Sequence, residues 1–426
     1  MAKKNIGNLV IIGVVALNLA LWLLFPPQND GRPAYWTQYL GEMFSTSAVL
    51  LMVCGIVLST RARFIEPFFG GLDKMYVSHK NVAIAAILLI LSHFFIMTTT
   101  PDVQTSITIG KLALIGLVLS VGLALAPRLP FWGRHIRLPY HVWRQIHRFT
   151  GLFFILGIFH FMGMEVLLLH RTPVVRAYVF PIVIFGALVY VYKELFQGRV
   201  KKYFRYRVEQ VERLHGSVVE VTLQPEQGVM PFRSGQFLFI GFPGQAGLKE
   251  MHPFTISSAP GMQQLRLTIK SSGDFTHDLH TSLQAGAQAR IDGGYGMFDY
   301  KTGGSRQVWI AGGIGLTPFL SWVRDFGTSL DFEIDFFYTV RTPDEILFWE
   351  ELEAASRRYA GFNLHPVFSN RDGRLDAAKI EALSGPLQGK DVYICGPIAL
   401  TEAITKQLVL RGVSPRSIHF EEFNFR

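Results

Sequence analysis

Six runs of apolar residues fill the first 198 positions, at about 6–25, 37–59, 78–98, 107–126, 144–166 and 174–195. A bilayer core takes roughly 20 apolar residues of helix, and backbone groups inside it must find their hydrogen bonds within the segment. The first half is therefore expected to be a bundle of six transmembrane helices. The first run follows Lys3 and Lys4 as a secretory leader would. It is too long for one, and no small-residue cleavage site follows "LWLLFPP", so it reads as a true span. Only 17% of the chain is charged, against about 25% in soluble domains. The deficit lies before Gly198; from residue 199 onward the composition is that of an ordinary soluble chain.

The net charge of +9 does not form a single stripe, so nucleic acid is not an expected partner. The cations gather instead in alternate loops. Lys3 and Lys4 precede the first run, and Arg61, Arg63 and Lys74 follow the second. Arg128, Arg134 and Arg137 follow the fourth, while Lys193, Arg199, Lys201, Lys202, Arg205 and Arg207 close the sixth. The intervening loops hold Arg32 with Asp30, then Asp102, then Arg171. This asymmetry places both termini in the cytoplasm. Cys54 and Cys395 lie in different halves, which excludes a disulfide framework or a cysteine metal site.

Within the third and fifth runs lie four histidines. His79 and His93 stand fourteen residues apart in the third; His147 and His160 stand thirteen apart in the fifth. Both runs head outward from the cytoplasm, so each helix offers an inner and an outer imidazole. Fourteen residues fall about 40° short of four full turns, which puts His79 and His93 on one face. The thirteen-residue step falls about 140° short and calls for overwinding, a kink at Gly151 or Gly157, or rings reaching from opposite flanks. Polar groups inside a bilayer are costly and usually face an interior site. Two histidines at each of two levels, roughly 20 Å apart, suit bis-histidine ligation of two stacked haem b groups. Zinc fits less well, because no carboxylate or thiol accompanies either pair. Arg144, Arg148 and Lys80 would meet haem propionates or lipid headgroups. Phe153 and Phe154 lie between the levels, and Lys111 either snorkels or brings positive charge to the outer one.

Beyond Val200, short alternating stretches such as "GSVVEVTLQP", "GQFLFIGF" and "QLRLTIK" predict an antiparallel β-barrel over 199–300. After it, "QVWIAGG", "DFEIDFFYTV" and "DVYICG" alternate with helical stretches, predicting an α/β parallel sheet over 301–426. In "AGGIGLTP", Gly312, Gly313 and Gly315 let the backbone approach a pyrophosphate at a helix start opened by Thr317 and Pro318. "CGP", Cys395–Pro397 with Gly396 between, ends a later strand, and ligands of such sheets bind beyond the strands' carboxyl ends. In the barrel, "HPFTIS" (His252, Pro253, Phe254, Thr255 and, last, Ser257) is suited to lining a flat ring. Lys270, Gly273 and Thr276 would hold phosphates. Arg341, in "YTVRT", is the first choice for a nucleotide 2′-phosphate, with Arg371 and Arg374 as alternatives.

Taken together, the paired histidines, "HPFTIS", "AGGIGLTP", "CGP" and the tail "FEEFNFR" resemble the ferric reductase and NADPH oxidase superfamily. The likeness covers nearly the whole chain and is greatest to bacterial NADPH oxidases that join both regions in one chain without regulatory domains. It implies an integral protein of a bacterial cell membrane with three parts: a di-haem domain (1–198), an FAD domain (199–300) and an NADPH domain (301–426). Thr255 would lie near the reactive edge of FAD, and "CGP" at the nicotinamide end. Phe425 would match the terminal aromatic that stacks on the flavin, although here Arg426 follows it. His252 stands where many soluble relatives carry an arginine for the FAD pyrophosphate, so that contact falls to other residues. The expected activity carries electrons from NADPH through FAD and the two haems to dioxygen, yielding superoxide, with no obligatory protein subunit. A ferric chelate or a periplasmic partner are the rival acceptors. A proton-relaying transporter is a third reading, which would leave the nucleotide motifs idle.

Overall fold

The computed structural model describes residues 5–31, 34–97, 104–126, 140–164 and 168–421. It divides into two compact units that meet in sequence between Lys201 and Lys202.

The first unit is helical: α1 (Ile6–Leu24), α2 (Tyr35–Ser59), α3 (Leu72–Ile96), α4 (Gln104–Leu125), α5 (Tyr140–Met162) and α6 (Pro173–Val191). Among the described residues, five helices are long and apolar enough to cross a membrane; α5 is not one of them. Arg144, Gln145, His147, Arg148 and His160 dilute its apolar character. α3 begins six residues before its apolar run because buried Glu66 accepts the Leu72 N–H at 3.1 Å and satisfies an orphan donor of the first turn. α6 continues through a π turn, Tyr192–Phe196.

Small residues allow the helices to pack closely. A Cβ on Gly186 would lie 2.5 Å from Val53, and one on Gly116 would lie 2.2 Å from the Phe153 ring. The few buried polar groups pair with one another. Asn18 Nδ2 donates to Thr46 Oγ1 (3.1 Å) and Ser47 Oγ (2.9 Å), and Trp22 Nε1 donates to Thr46 Oγ1 (3.0 Å). Glu42, buried within α2, accepts from Gln38 Nε2 and from the Leu169 N–H, each at 2.8 Å.

The second unit opens with an antiparallel sheet. Its strands are β1 (Phe204–Arg213), β2 (Val218–Pro225), β3 (Phe237–Gly241), β4 (His252–Thr255), β5 (Leu265–Lys270) and β6 (Gln288–Tyr295). They run in the order β4-β3-β6-β1-β2-β5, and a bridge between Ile256 and Leu267 joins the two edges into a barrel. Inward residues such as Tyr206, Val208, Val221, Leu238, Leu267 and Ile291 are almost completely buried.

A parallel sheet follows: β7 (Arg306–Gly312), β8 (Glu333–Val340), β9 (Phe362–Phe368), β10 (Asp391–Cys395) and β11 (Ile418–Phe420), in the order β11-β10-β7-β8-β9. The order reverses between β7 and β10, a topological switch point beside which ligands of open α/β sheets bind.

Helix Thr317–Arg324 ties the sheet to the barrel. Ser321 Oγ donates to Ser258 O at 2.7 Å. The buried Arg324 guanidinium donates to Ser257 O (2.9 Å), lies 3.4 Å from Glu220 on β2, and forks onto Glu351 at 2.7 and 2.8 Å. Burying this charge is tolerable because its donors are matched.

Candidate functional site

In the first unit, the His79 and His147 rings lie 6.0 Å apart, centroid to centroid, at 78° to one another. Two imidazoles on opposite sides of one metal ion, with bonds of about 2 Å, have centroids about 6 Å apart. His79 Nδ1 lies 2.9 Å from the Gly55 carbonyl on α2. A carbonyl only accepts, so Nδ1 holds the proton and Nε2 carries the free lone pair. His147 lies flat on Trp143, one turn earlier in α5, at 5.3 Å and 6°. Its Nδ1 is buried without a hydrogen-bond partner among the described residues. α5 is a continuous helix, and His147 meets His79 in spite of the thirteen-residue step.

At the outer level, His93 Nδ1 donates to the Gly41 carbonyl at 2.9 Å, and His160 Nδ1 donates to the Ser106 carbonyl at 2.7 Å. Both rings therefore also present Nε2, the arrangement in which a backbone acceptor fixes a ligating histidine's tautomer and direction. Both line one apolar cavity, together with Met97, Lys111, Phe153 and Phe154. His160 rests on the backbone of α4, where a Cβ on Gly110 would fall 2.7 Å from Nδ1. Among the described residues, no group of three or more His, Cys, Asp or Glu side chains is placed to hold a metal ion. A metal-bearing group that needs only two protein ligands would be held by the His79–His147 pair, and the cavity lined by His93 and His160 offers two more imidazoles. Arg148 pairs with Glu194 at 2.6 Å, while Lys193, in the π turn, lies within electrostatic reach of His79 and His147.

In the barrel, β4 carries His252–Thr255. The His252 ring stacks on Phe275 at 3.9 Å, and Phe254 lies 6.1 Å from the same ring. Thr255 is buried, and its Oγ1 has no hydrogen-bond partner among the described residues, as expected of a group awaiting a polar ring edge. Ser257 is enclosed instead: its Oγ accepts from Thr268 Oγ1 at 3.1 Å. Thr276 Oγ1 accepts the N–H groups of Ser272 (2.8 Å) and Gly273 (2.9 Å), so it shapes the loop before helix Asp274–Ser282. Lys270 is exposed at the end of β5.

The two glycine motifs meet at the switch point. A Cβ on Gly315 would fall 2.2 Å from the Cys395 carbonyl oxygen, and one on Gly396 would fall 3.1 Å from Gly312 Cα. Gly313 adopts φ +55° at the turn itself. Thr317 and Pro318 open the following helix and are buried. Cys395 is fully enclosed; burial pushes its thiol well above the ordinary range, and the Glu421 carboxylate adds to this. Glu421, in the tail "FEEFNFR", is buried, and its Oε1 lies 3.4 Å from a Cβ position on Gly296. Phe425 lies outside the described residues.

Each of the two leading arginines for a 2′-phosphate already has a carboxylate partner. Arg341 pairs with Glu345 at 2.6 Å, which holds that carboxyl below its usual range, and Arg371 pairs with Asp372 at 2.7 Å.

Comparison with known proteins finds three families along the chain. Residues 44–158 match the ferric reductase like transmembrane component, 203–303 an FAD-binding domain, and 309–406 an oxidoreductase NAD-binding domain. The glycine betaine monooxygenase reductase subunit of Chromohalobacter salexigens is 30% identical over 45% of this chain and 56% of its own length. A flavohemoprotein of Vibrio cholerae is 25% identical over 56% of this chain and 63% of its own. The chain thus spans little more than half the length of these relatives. Among solved structures, the flavohem-like FAD/NAD-binding domain of a nitric oxide dioxygenase from Vibrio cholerae is 23% identical. That match covers 52% of this chain and 98% of the other, with a TM-score of 0.45.

Proposed function

The chain carries the domain architecture of the NADPH oxidase and ferric reductase superfamily, and from that premise we propose that it passes electrons from cytoplasmic NADPH through FAD and two b-type haems to dioxygen on the far face of the membrane. Its balance is one NADPH and two dioxygen molecules giving NADP⁺, one proton and two superoxide ions. FAD, when bound, takes two electrons as a hydride and gives them up singly, and haem carries them one at a time.

The observation that carries this reading is the pair of histidine levels on α3 and α5. At three of the four positions Nδ1 is tied to a carbonyl, leaving Nε2 to ligate. His79 and His147 would hold the inner haem; His93 and His160 would hold the outer one. Gly312, Gly313 and Gly315, with Cys395–Pro397, would cradle the nucleotide. Thr255, Phe254 and His252 would face the flavin, and Lys270 its phosphates. The cavity that His93 and His160 line is mostly apolar. No side chain here is asked to move a proton to dioxygen, because an outer-sphere electron transfer needs none.

Gly110 tests the placement of the outer ring. Gly110→Ala pushes a methyl group against His160, and haem affinity at that level is expected to fall about tenfold, read by titrating haem into the stripped protein. Unchanged affinity would remove His160 from the ligand set.

The functional test is NADPH consumption by the purified, FAD-supplemented protein in air, with a superoxide-specific readout, and anaerobically with a ferric chelate. Two superoxide ions per NADPH support the oxidase. Turnover with the ferric chelate alone makes it a metal reductase.

A further inference from the structure

We propose that Glu345 sets nucleotide specificity. It restrains Arg341 and offers its own carboxylate to an adenosine ribose, so that NADH serves as a donor beside NADPH. This rests on reading the end of β8 as the adenosine end of the nucleotide site.

β8 lies next to β7, whose end carries the glycine turn. In such sheets the ribose lies over the end of the neighbouring strand, where an acidic residue accepts from a 2′-hydroxyl and an arginine receives a 2′-phosphate. Here both residue types occupy that position and are bound to each other. Arg341 Nε donates to Glu345 Oε1 at 2.8 Å, and its Nη2 lies 2.6 Å from the same oxygen. The Arg341 backbone N–H donates to Oε2 at 3.1 Å. A 3₁₀ turn, Pro343–Glu345, holds the carboxylate in place, and Pro343 stiffens its start.

Two consequences oppose each other. An incoming 2′-phosphate must take the guanidinium from Glu345 and then lie beside a carboxylate of like charge. A free 2′-hydroxyl can donate to Glu345 with the pair intact. Because an exposed ion pair of this kind is weak, the phosphate is not excluded. The discrimination between the two nucleotides is therefore small, and Glu345 controls it.

The test uses the full-length, FAD-loaded protein, with Glu345→Gln and Arg341→Gln beside it. Binding of 2′-phospho-AMP and of AMP is measured by calorimetry, and anaerobic bleaching of the flavin by NADPH and by NADH in a stopped-flow instrument. Both nucleotides are expected to bleach the wild type. Glu345→Gln should raise the preference for the phosphorylated member of each pair about tenfold, the size of one charge-assisted hydrogen bond. Arg341→Gln should lower it. Bleaching by both nucleotides with a preference that Glu345→Gln does not move overturns the inference and leaves the proposed function standing. A wild type that ignores NADH also overturns it. If neither nucleotide bleaches the flavin and neither adenosine fragment binds in any variant, the nucleotide reading falls, and this inference with it.

Discussion

Replacing Gly315 with alanine is expected to cut flavin reduction by NADPH at least about a hundredfold, the effect of a misplacement near 1 Å at a reacting centre. The added methyl carbon would fall 2.2 Å from the Cys395 carbonyl oxygen, 2.6 Å from its carbon and 2.8 Å from the Gly396 nitrogen. All three are backbone atoms of a strand end, so no side chain can rotate away. The "AGGIGLTP" and "CGP" loops must part, and the crevice between them opens at the point where nicotinamide is proposed to lie. Gly313→Ala makes the informative contrast. Its Cβ would meet nothing within 4 Å, and its φ of +55° would strain a side chain by only about 1–2 kcal/mol. Anaerobic stopped-flow bleaching of the flavin reads both. A Gly315→Ala protein that accepts hydride at the normal rate would mean that the glycine loops do not form the nucleotide site.

His93→Ala should leave that bleaching unchanged while reduction of the far-side acceptor falls at least about a hundredfold, since even outer-shell changes at metal sites cost 10–100-fold in affinity or activity. The substitution removes one imidazole and the hydrogen bond to Gly41, leaving His160 alone at the outer level. His79 and His147 keep their contact, so the haem signal of the inner level should survive. The paired readout separates a broken path from a misfolded protein: hydride transfer reports the second unit, and superoxide the whole route. Normal superoxide production by this variant would refute the two-level path.

The common face of His79 and His93 was legible in the sequence because a fourteen-residue interval brings a helix nearly back to the same side. The sequence could not supply the acceptors. Gly41, Gly55 and Ser106 act through backbone carbonyls, which every residue possesses, on helices remote in the chain. Nor could it show how the thirteen-residue step in α5 is accommodated, since that depends on where His147 lies against Trp143. The strand alternation that marked the barrel ran out at its most useful point: past Thr255 the chain leaves β4, and Ser257 turns inward to Thr268. The acidic residues were harder still. Glu345, in a stretch that reads as helical, looks like a solvated surface charge until its distance to Arg341 is known; the helix itself begins only at Trp349. Glu42 sits in a largely apolar helix, and one of its partners is an amide more than a hundred positions away. Charge attracts notice in sequence when it clusters, and these carboxylates act singly.

Gly41 and Gly55 are themselves fourteen residues apart, the interval that separates His93 from His79. The distance between the two levels is thus written twice, once in the rings of α3 and once in the acceptors of α2. A single residue inserted between the glycines would turn one acceptor by about 100° and lift it by about 1.5 Å, releasing one level while the other held. The two helices therefore act as paired rulers, with the spacing of the two histidine levels fixed by their shared graduation and not by the thickness of a surrounding bilayer.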